Sequence, residues 1–170
     1  MGVGIRVARV DELASLVAIE LTADARFASV GIDLPATAPC GADAAAQASG
    51  RILGAELADG SLAGFVRIEI VDAAAHVEQV SVLPEHSRQG VGRALLDAAE
   101  DWARRRGHSR ITLTTYRDVP WNGPFYRRLG WTPLADADLG PELAALRARE
   151  RADGLDVRVR QAMVKRLGPG

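Results

Sequence analysis

A loop containing two glycines, placed between a strand and a helix, carries the clearest chemical signal in the sequence. Residues 80–83 alternate as a strand does, and Arg88-Gln89-Gly90-Val91-Gly92-Arg93 leads from the following loop into a helix. The first amide N–H groups of a helix lack partners within it and lie at the positive end of its dipole, so they favour a bound phosphate. Glycines allow close approach, and Arg88 or Arg93 adds positive charge. The run predicts an anion site; the alternative is a tight turn before an ordinary basic helix start.

Two stretches of the chain, in the same order, resemble motifs of the GNAT superfamily of N-acetyltransferases. The loop run matches the core of the family's Arg/Gln-x-x-Gly-x-Gly/Ala pattern, although Ser87 departs from the leading Arg or Gln. Residues 122–131, Asn-Gly-Pro-Phe-Tyr-Arg-Arg-Leu-Gly-Trp, are similar to the family's Asn, Phe-Tyr, Leu-Gly-Phe segment. Neither the dinucleotide fingerprint nor a Walker loop fits, because Leu95 replaces a glycine or alanine and no Gly-Lys-Ser/Thr follows. The resemblance implies an enzyme that transfers acetyl from acetyl-CoA to an amine.

The resemblance also implies roles for particular residues. In the family, loop amides hold the coenzyme A pyrophosphate, so the expected cofactor-binding residues here are Arg88, Gln89, Gly90, Val91, Gly92 and Arg93. The strand segment Val80-Ser81-Val82 is expected to bond the pantetheine arm through its backbone, as an added strand does. Tyr126 is implied as the general acid for the departing thiolate, with a core-packing aromatic as the alternative. Asn122 either contacts the pantetheine arm or caps the helix that follows.

A base is the remaining requirement of this chemistry. Amines attack thioesters only when unprotonated, yet a lysine or α-amino group, of pKa about 10.4 or 8, is mostly charged near neutral pH. Glu78 lies just before the segment expected to bind the pantetheine arm. A carboxylate at this position can take the proton of the amine directly or through water. We interpret Glu78 as the candidate general base; the alternative is a surface strand residue.

Other reactive side chains suggest no second chemistry. Cys40, the only cysteine, sits in an Ala/Gly/Pro-rich segment without a sequence partner, so an incidental thiol is favoured over a nucleophile. His76, His86 and His108 lack metal-ligand spacing and are interpreted as surface or turn residues, so no metal is predicted. Arg104 to Arg106 reads as a solvated helix end.

The elements that must position these residues follow a mixed α/β pattern. Alternating segments and an Asp59-Gly60 turn predict hairpin-linked strands, whereas the helix starting near Gly90 connects two strands that we expect to be parallel neighbours. The expected class is a largely antiparallel central sheet flanked by helices, with the GNAT-like fold. Predicted strands are Ile5–Val10, Ile52–Ala55, Leu62–Val71, a segment ending at Leu83, Arg110–Tyr116 and one within 155–167. The first predicted helix follows an Asp11 cap and has the apolar stripe Leu13, Leu16, Val17 and Leu21. Further helices are predicted over Asp24–Val30, Gly90–Arg106, Pro124–Leu129 and Pro141–Ala152. Residues 31–50 are predicted as loop.

Composition sets limits on the whole chain. Its 170 residues predict a single acetyl-CoA-binding domain over 1–170. A net charge of −1 gives no field for nucleic acid or an anionic membrane, and one cysteine with no apolar signal or span predicts a cytoplasmic protein. The 21 basic residues include only one lysine, Lys165, a bias typical of GC-rich bacterial genomes.

The acceptor carries no readable signature in the sequence. Small-molecule and peptide amines stay open, and the pocket is expected from two variable segments, Leu21–Gly50 and Asp136–Gly154. A homodimer through the last strand or helix is compatible with the pattern. Two rival hypotheses remain: a noncatalytic acyl-CoA-binding module, in which Glu78 and Tyr126 only pack, and a structural partner domain that binds no nucleotide.

Overall fold

Seven strands form one mixed sheet in the computed structural model, which describes residues 2–35 and 43–168. The strands are β1 (Gly4–Val7), β2 (Ile52–Glu56), β3 (Leu62–Val71), β4 (Ala74–Val82), β5 (Arg110–Tyr116), β6 (Thr132–Leu134) and β7 (Arg160–Arg166). Their order across the sheet is β1-β2-β3-β4-β5-β7-β6. The helices are α1 (Leu13–Asp24), α2 (Ala44–Ala48), α3 (Val91–Arg105), α4 (Gly123–Arg128) and α5 (Pro141–Ala152). The predicted class, a largely antiparallel sheet flanked by helices, is confirmed.

The chain groups into two compact units. Among the described residues, the first comprises 2–26, 43–69 and 77–102, and the second comprises 27–35, 70–76 and 103–168. In the first unit β2 pairs antiparallel with both β1 and β3, with a register shift between Ala55 and Glu56. Its apolar core joins helix and strand residues: Ala8, Leu16, Ile19, Ala46, Ile52, Leu62 and Phe65.

Helix α3 is the longest helix and buries one continuous face. Its buried apolar residues recur at three- and four-residue spacing: Val91, Leu95, Leu96, Ala99, Trp102 and Ala103. This is the 3.6-residue period that the sequence predicted. The Trp102 indole N–H also donates to the Gly50 carbonyl at 2.9 Å, so the helix is held to the first unit by a polar contact as well.

The start of α1 differs from the prediction. Strand β1 ends at Val7, and a 3-10 turn, Val10–Glu12, precedes the helix, so Asp11 does not cap it. Glu12 instead accepts the Arg9 amide at 2.7 Å and pairs with the Arg6 guanidinium at 2.7 Å, which holds the pKa of Glu12 at about 2. Leu21 is 57% exposed, and Ile19 and Ala23 are buried instead. The true buried face was hidden because nearly every side of α1 carries apolar residues.

Part of the predicted loop is helical. Helix α2 begins at the Asp43 cap, whose carboxylate accepts the Ala46 amide at 2.8 Å, and the Arg67 guanidinium contacts the same carboxylate at 2.8 Å. An Asp cap followed by alanines favours a helix, but five residues are too few to show a period. Residues 36–42, including Cys40, lie outside the described residues.

The second unit is built around β7. Strand β7 pairs antiparallel with β5 from Tyr116↔Arg160 to Arg110↔Arg166, and with β6 on its other side. Strand β6 was not predicted, because its three residues, one of them Pro133, show no alternation. Beside the sheet, Tyr116, Val119 and Ile32 form an apolar cluster with Phe27 and Trp121.

A buried ionic network ties α5 to these strands. Arg147, 3% exposed, donates to Glu150 and to Asp156, and Arg160 donates to Glu150 at 3.1 Å. Thr114 on β5 also donates to Glu150. Although burial opposes ionisation, the guanidinium groups and Thr114 hold the pKa of Glu150 below its usual value. Each charge therefore has partners, which buried ions require.

The amino end of α5 is capped from a distant turn. Gly140 precedes the helix and has no side chain, and the Asp72 carboxylate accepts the amides of Glu142 (2.9 Å) and Leu143 (3.0 Å). The Glu142 carboxylate accepts the Asp72 amide in return, so the contact is a reciprocal cap between residues 70 positions apart. A Cβ at Gly140 would clash with the Asp72 carboxylate, which explains the glycine.

No helix in the described ranges has both the length and the apolar character needed to cross a membrane.

His76 is a buried strand residue, which corrects its interpretation as a surface or turn residue. It is 1% exposed in β4, and its Nδ1 lies 2.8 Å from the Thr112 hydroxyl on β5. Burial lowers the pKa of the imidazole to about 4. Because both faces of β4 are covered at this position, its sequence shows no polar-outward alternation.

This burial predicts a specific acid sensitivity. Unfolded histidine, of pKa about 6.5, takes up a proton as the pH falls, whereas folded His76 resists until about pH 4. The stabilising contribution is therefore complete above pH 6.5 and is lost as the pH falls towards 4. We expect this group to remove about 2 kcal/mol of unfolding free energy between pH 7 and pH 5.

Urea unfolding at the two pH values measures this loss. His76→Gln should show a smaller difference in stability between pH 7 and pH 5 than the wild type, and His108→Gln is the control for removing one histidine. An unchanged difference in His76→Gln would contradict the assignment.

Candidate functional site

The segment between β4 and α3 has a defined backbone shape. After Leu83 a 3-10 turn is closed by the His86 amide donating to Leu83 (3.0 Å) and the Ser87 amide donating to Pro84 (3.1 Å). The Gln89 side-chain amide donates to the Glu85 carbonyl at 2.8 Å. Two residues then adopt positive φ, Arg88 at 61° and Gly90 at 85°. The loop is thus fixed by its own hydrogen bonds and turns sharply into the helix.

Helix α3 begins with amides that the helix itself does not satisfy. The Ala94 amide donates to the Gly90 carbonyl at 2.9 Å, so the amides of Val91, Gly92 and Arg93 precede the first intrahelical bond. A Cβ at Gly90 would have no protein atom within 4 Å, so open space adjoins this turn. The helix dipole places partial positive charge at the same point. The arrangement can bind an anionic group such as a phosphate.

Arginine side chains add positive charge near this loop. Arg88 is exposed, and Arg93 lies 3.6 Å from Asp97 on the solvent side of α3. The pKa of the half-buried Arg26 guanidinium is lowered, first by burial and second by the charge of Arg88. Arg26 was not predicted as part of the anion site, because residue 26 is far from the loop in the chain. Its proximity to Arg88 makes the loop surroundings more favourable to an anion.

The strand before the loop is packed closely against β3. A Cβ at Gly64 would clash with the Ser81 carbonyl oxygen, and the Leu83 amide donates to the Ala63 carbonyl at 2.9 Å. Ser81 is 2% exposed and accepts a hydrogen bond from the Gln79 side chain at 2.9 Å. Val80 and Val82 are half-buried, and Glu78 is exposed. Glu78, Val80 and Val82 share one strand face, because side chains alternate along β4.

Tyr126 is a buried residue of α4. It is 6% exposed and makes edge-on ring contacts with Phe125 (centroids 5.4 Å apart) and Trp131 (6.0 Å). Burial raises the pKa of the phenol well above its usual value, with the charge of Arg160 opposing the shift. The side chain therefore stays neutral near pH 7 and can act as a hydrogen-bond donor.

The start of α4 fixes the position of Tyr126. The Tyr126 amide donates to the Asn122 carbonyl at 3.0 Å, and a Cβ at Gly123 would clash with the Arg117 carbonyl. Asn122 stands at the cap position, but its side chain makes no capping hydrogen bond within the described part of the chain. The alternative prediction, that the Asn122 side chain caps α4, is therefore wrong.

The predicted site residues fall into two groups. Glu78, the segment 80–82 and the loop 88–93 lie in the first unit, contiguous along β4, the loop and α3. Asn122 and Tyr126 lie in the second unit.

Asp24 is a titratable residue that the sequence analysis did not consider. Its carboxyl lies at the carboxyl end of α1, and its pKa is raised to about 6, first by burial and second by Glu20. The spacing of the two acids, i and i+4, was a visible signal of like-charge repulsion. A carboxyl of this pKa is a second candidate proton acceptor in the first unit.

Across residues 2–35 and 43–168, no three His, Cys, Asp or Glu side chains are grouped so as to hold a metal ion.

Comparison with known proteins identifies the family. The chain matches the acetyltransferase (GNAT) family over residues 20–131, and it therefore belongs to that family. The resemblance found in the loop and the Asn122–Trp131 segment is confirmed.

Individual relatives add detail. Streptothricin acetyltransferase from Streptomyces lavendulae is 35% identical over 79 residues, which cover 44% of this chain and 40% of that protein. The chain thus matches less than half the length of this relative. The structure of nourseothricin acetyltransferase is 30% identical, with a TM-score of 0.52, covering 69% of this chain and 65% of that one. PaiA N-acetyltransferase from Thermoplasma acidophilum, solved with coenzyme A, has a TM-score of 0.66 at 18% identity over 98% of this chain and 99% of its own, which shows the shared fold.

The anion loop yields a direct binding prediction. Gly90→Val places a branched side chain at φ +85° in the open space beside the α3 amides, so we expect coenzyme A affinity to fall at least tenfold. Gly107→Val is the matched control, because Gly107 has φ +79°, equally open space and a position at the other end of α3. Isothermal titration with coenzyme A compares the two variants with the wild type.

Thermal melts separate strain from ligand contact. Both substitutions should lower the melting temperature, since each forces a β-branched residue into the left-handed region. Equal loss of coenzyme A affinity in the two variants would show that the effect is strain, and would contradict the site.

Proposed function

We propose that this chain is an N-acetyltransferase that moves the acetyl group of acetyl-CoA to an amine, by direct transfer in a ternary complex. The observation that carries the proposal is the set of open amides at the amino end of α3, entered directly from β4 through a fixed loop. Membership of the GNAT family supports the reaction, and the structure of PaiA N-acetyltransferase with coenzyme A supports the cosubstrate.

The residues present fit a pyrophosphate. The amides of Val91, Gly92 and Arg93 offer donors, Gly90 leaves space, and Arg88 adds charge without a competing carboxylate in the loop run itself. Charge-assisted hydrogen bonds contribute roughly 1.5–3 kcal/mol each, so a few amides suffice for useful affinity. We assign the pantetheine arm to the backbone of Val80-Ser81-Val82 and to Asn122. Ser87, which replaces the family's leading Arg or Gln, weakens one side-chain contact but leaves the amides intact.

Acetyl transfer from a thioester to a protonated amine removes two protons from the nitrogen. A protonated amine loses one proton to a base, and its nitrogen lone pair attacks the thioester carbonyl carbon. The new C–N bond forms, the C–S bond breaks with its electron pair on sulfur, and the nitrogen releases a second proton. That proton, or one from solvent, converts the thiolate to coenzyme A thiol, so the net products are an amide, the thiol and one proton.

Tyr126 is assigned to the departing sulfur. The pKa of a phenol, ordinarily about 10, already exceeds that of a thiol, about 8.5, and burial raises the pKa of Tyr126 further. The phenol therefore keeps its proton more tightly than the thiolate attracts it. We therefore infer that Tyr126 stabilises the developing thiolate by a donated hydrogen bond, and that full protonation of sulfur follows from the amine proton or solvent.

Glu78 is assigned to the amine proton. It is exposed on β4, on the strand face shared with Val80 and Val82, so water reaches the carboxylate. A carboxylate with access to water can take the proton directly or through a bridging molecule. Asp24, whose pKa is raised to about 6, is the alternative acceptor in the same unit.

Removing the phenol hydroxyl tests the role of Tyr126. Tyr126→Phe should lower kcat about 10²-fold, the usual cost of losing one transition-state hydrogen-bond donor, while the Kd of acetyl-CoA changes less than twofold. Turnover is measured by thiol release with an amine library, and thermal melts verify the fold. Unchanged kcat would return Tyr126 to a packing role, whereas tight binding without turnover of any amine by the wild type would favour the noncatalytic module.

The pH profile tests the role of Glu78. Glu78→Gln should reduce kcat/KM strongly near pH 7, where the amine is protonated, and much less near pH 10, where the free amine is abundant. Asp153→Asn, at the exposed end of α5, is the control carboxylate. If kcat/KM of Glu78→Gln depends on pH in the same way as that of the wild type, Glu78 is excluded as the base. The same measurement on Asp24→Asn then tests the alternative acceptor.

A further inference from the structure

A small pocket lies at the end of the β5–β7 ladder, within the second unit. It has a volume of about 250 Å³ and is lined by Tyr116, Asp118, Val119, Arg158 and Val159. Beyond the last regular pair, the Arg117 amide donates to the Val159 carbonyl at 2.9 Å, which holds the two sides of the pocket together. The volume is below the roughly 300–1,000 Å³ typical of drug-sized ligands, so the pocket suits a small group.

The floor of this pocket is formed by the buried and uncharged Tyr116 side chain. The Tyr116 hydroxyl donates to the Leu155 carbonyl at 2.8 Å, and the Arg160 guanidinium lies 4.6 Å from the centre of the Tyr116 ring. Burial raises the pKa of Tyr116, so the phenol stays uncharged. Val119, 1% exposed, and Val159, 53% exposed, add apolar surface at the bottom and at the rim.

The charges around the pocket are not balanced. Asp118 pairs with the neighbouring Arg117 at 3.1 Å, and Arg160 is neutralised by Glu150 at 3.1 Å. Arg158 is exposed and forms no ion pair with any residue in the described ranges. The rim therefore offers one carboxylate and an excess of one positive charge, carried by a guanidinium whose planar fork matches a carboxylate.

The pocket adjoins the helix that carries Tyr126. Gly123, the first residue of α4, lies against the Arg117 carbonyl so closely that a Cβ would clash with it. Arg117 is the immediate neighbour of Asp118, and Tyr126 follows Gly123 by one helical turn. The Asn122 amide, just before α4, donates to the carbonyl of the pocket residue Val119 at 2.9 Å, and Arg160, which lies over the Tyr116 ring, also acts on the pKa of Tyr126. A small acceptor in this pocket therefore lies in the part of the second unit that holds the side chain assigned by the proposed function to the departing thiolate.

From this arrangement we propose that the pocket binds the amine acceptor, and that the acceptor is a small amino acid or a similar amine bearing a carboxylate. Arg158 binds the carboxylate, Asp118 attracts the amine, and the apolar surface of Val119 and Val159 contacts the side chain. The inference rests on the proposed acetyltransferase function and adds the acceptor class. It disfavours polycationic amines, which the excess positive charge repels.

Matched pairs of acceptors test the inference. The full chain is assayed with acetyl-CoA and either common L-amino acids or the amines that differ from them only by lacking the carboxylate, such as phenylalanine and phenethylamine. We expect at least one amino acid to have a KM at least tenfold below that of its decarboxylated counterpart.

Variants then assign the preference to Arg158. Arg158→Gln should raise the KM of the amino acid about tenfold, equivalent to about 1.4 kcal/mol, and change that of the decarboxylated amine less than twofold, with kcat similar. Arg158→Lys should restore part of the affinity. Arg151→Gln, an exposed arginine on α5 outside the pocket, is the control.

Binding measurements distinguish the two ways of failing. Titration of coenzyme A into the protein tests the proposed function, and titration of amino acids into the protein–coenzyme A complex tests the acceptor pocket. If coenzyme A binds but no amino acid gives a binding signal in the second titration, the acceptor inference is overturned and the proposed function is not. The acceptor inference would also be overturned by equal KM values for an amino acid and its decarboxylated amine in every pair. A preference for a polycationic amine, or a KM of Arg158→Gln equal to that of the wild type, would have the same meaning. Loss of coenzyme A binding in the wild type would instead refute the proposed function.

Discussion

Three peptide amides at the amino end of α3 cannot be satisfied by the helix to which they belong, and the first unit is arranged around this constraint. Strand β4 leads directly to the loop, Gly90 at φ 85° turns the chain, and the buried face of α3 holds the helix in place. Because the loop is closed by its own hydrogen bonds, the amides are already oriented. An anion that binds them pays little for ordering the protein.

The two units stabilise their cores by different means. In the first unit the core cluster is aliphatic and aromatic, from Leu16 to Phe65. In the second, buried charges on α5 and β7 lie close to the apolar cluster, and Arg147 and Glu150 depend on each other and on Arg160. Such pairs add little net stability, but losing one partner leaves a buried charge that is costly. The network therefore holds Arg160 against the Tyr116 ring. Its charge is used by Glu150, whereas the charge of Arg158 is left for the proposed acceptor carboxylate.

How far the fold was predictable depended on the length and contrast of each pattern. Strand β5 and helix α5 have the predicted bounds, and each end of α3 lies within one residue of its predicted bound. These segments have a clear period, and the two helices are also bounded by Gly90, Gly107, Pro141 and Gly154. Helix α2 and strand β6 are too short for a period to appear. His76 was misread because burial on both faces of β4 at that position removes the alternation. The face of α1 was misread because apolar residues such as Leu21 also lie on its exposed side.

Only part of the candidate site was predictable from the chemistry of its residues. Helix physics alone pointed to the Gly90 loop, since unsatisfied amides, glycines and arginines all occur within one short run. Tyr126 and Asn122 were found only through the family motif, because nothing in their chemistry distinguishes them from packing residues. Arg26 gains its importance from Arg88, which is distant in the chain, and Arg158 from its place at an open rim; sequence spacing records neither. The repulsion between Asp24 and Glu20 was visible in the spacing, but the burial of Asp24 was not.

The reciprocal cap between Asp72 and Glu142 changes what the turn between β3 and β4 can tolerate. Surface hairpin tips with small residues are usually the places where new chain termini, inserted peptides or protease cuts are accepted. Here Asp72 and Ala73 hold left-handed backbone angles, and the Asp72 carboxylate also supplies the first hydrogen bonds of α5. A circular permutation or tag insertion at this tip would therefore fray a helix 70 residues further along the chain. The tight Asp59-Gly60 turn between β2 and β3, where Ser61 bonds the Asp59 carboxylate locally, is the better site for such engineering.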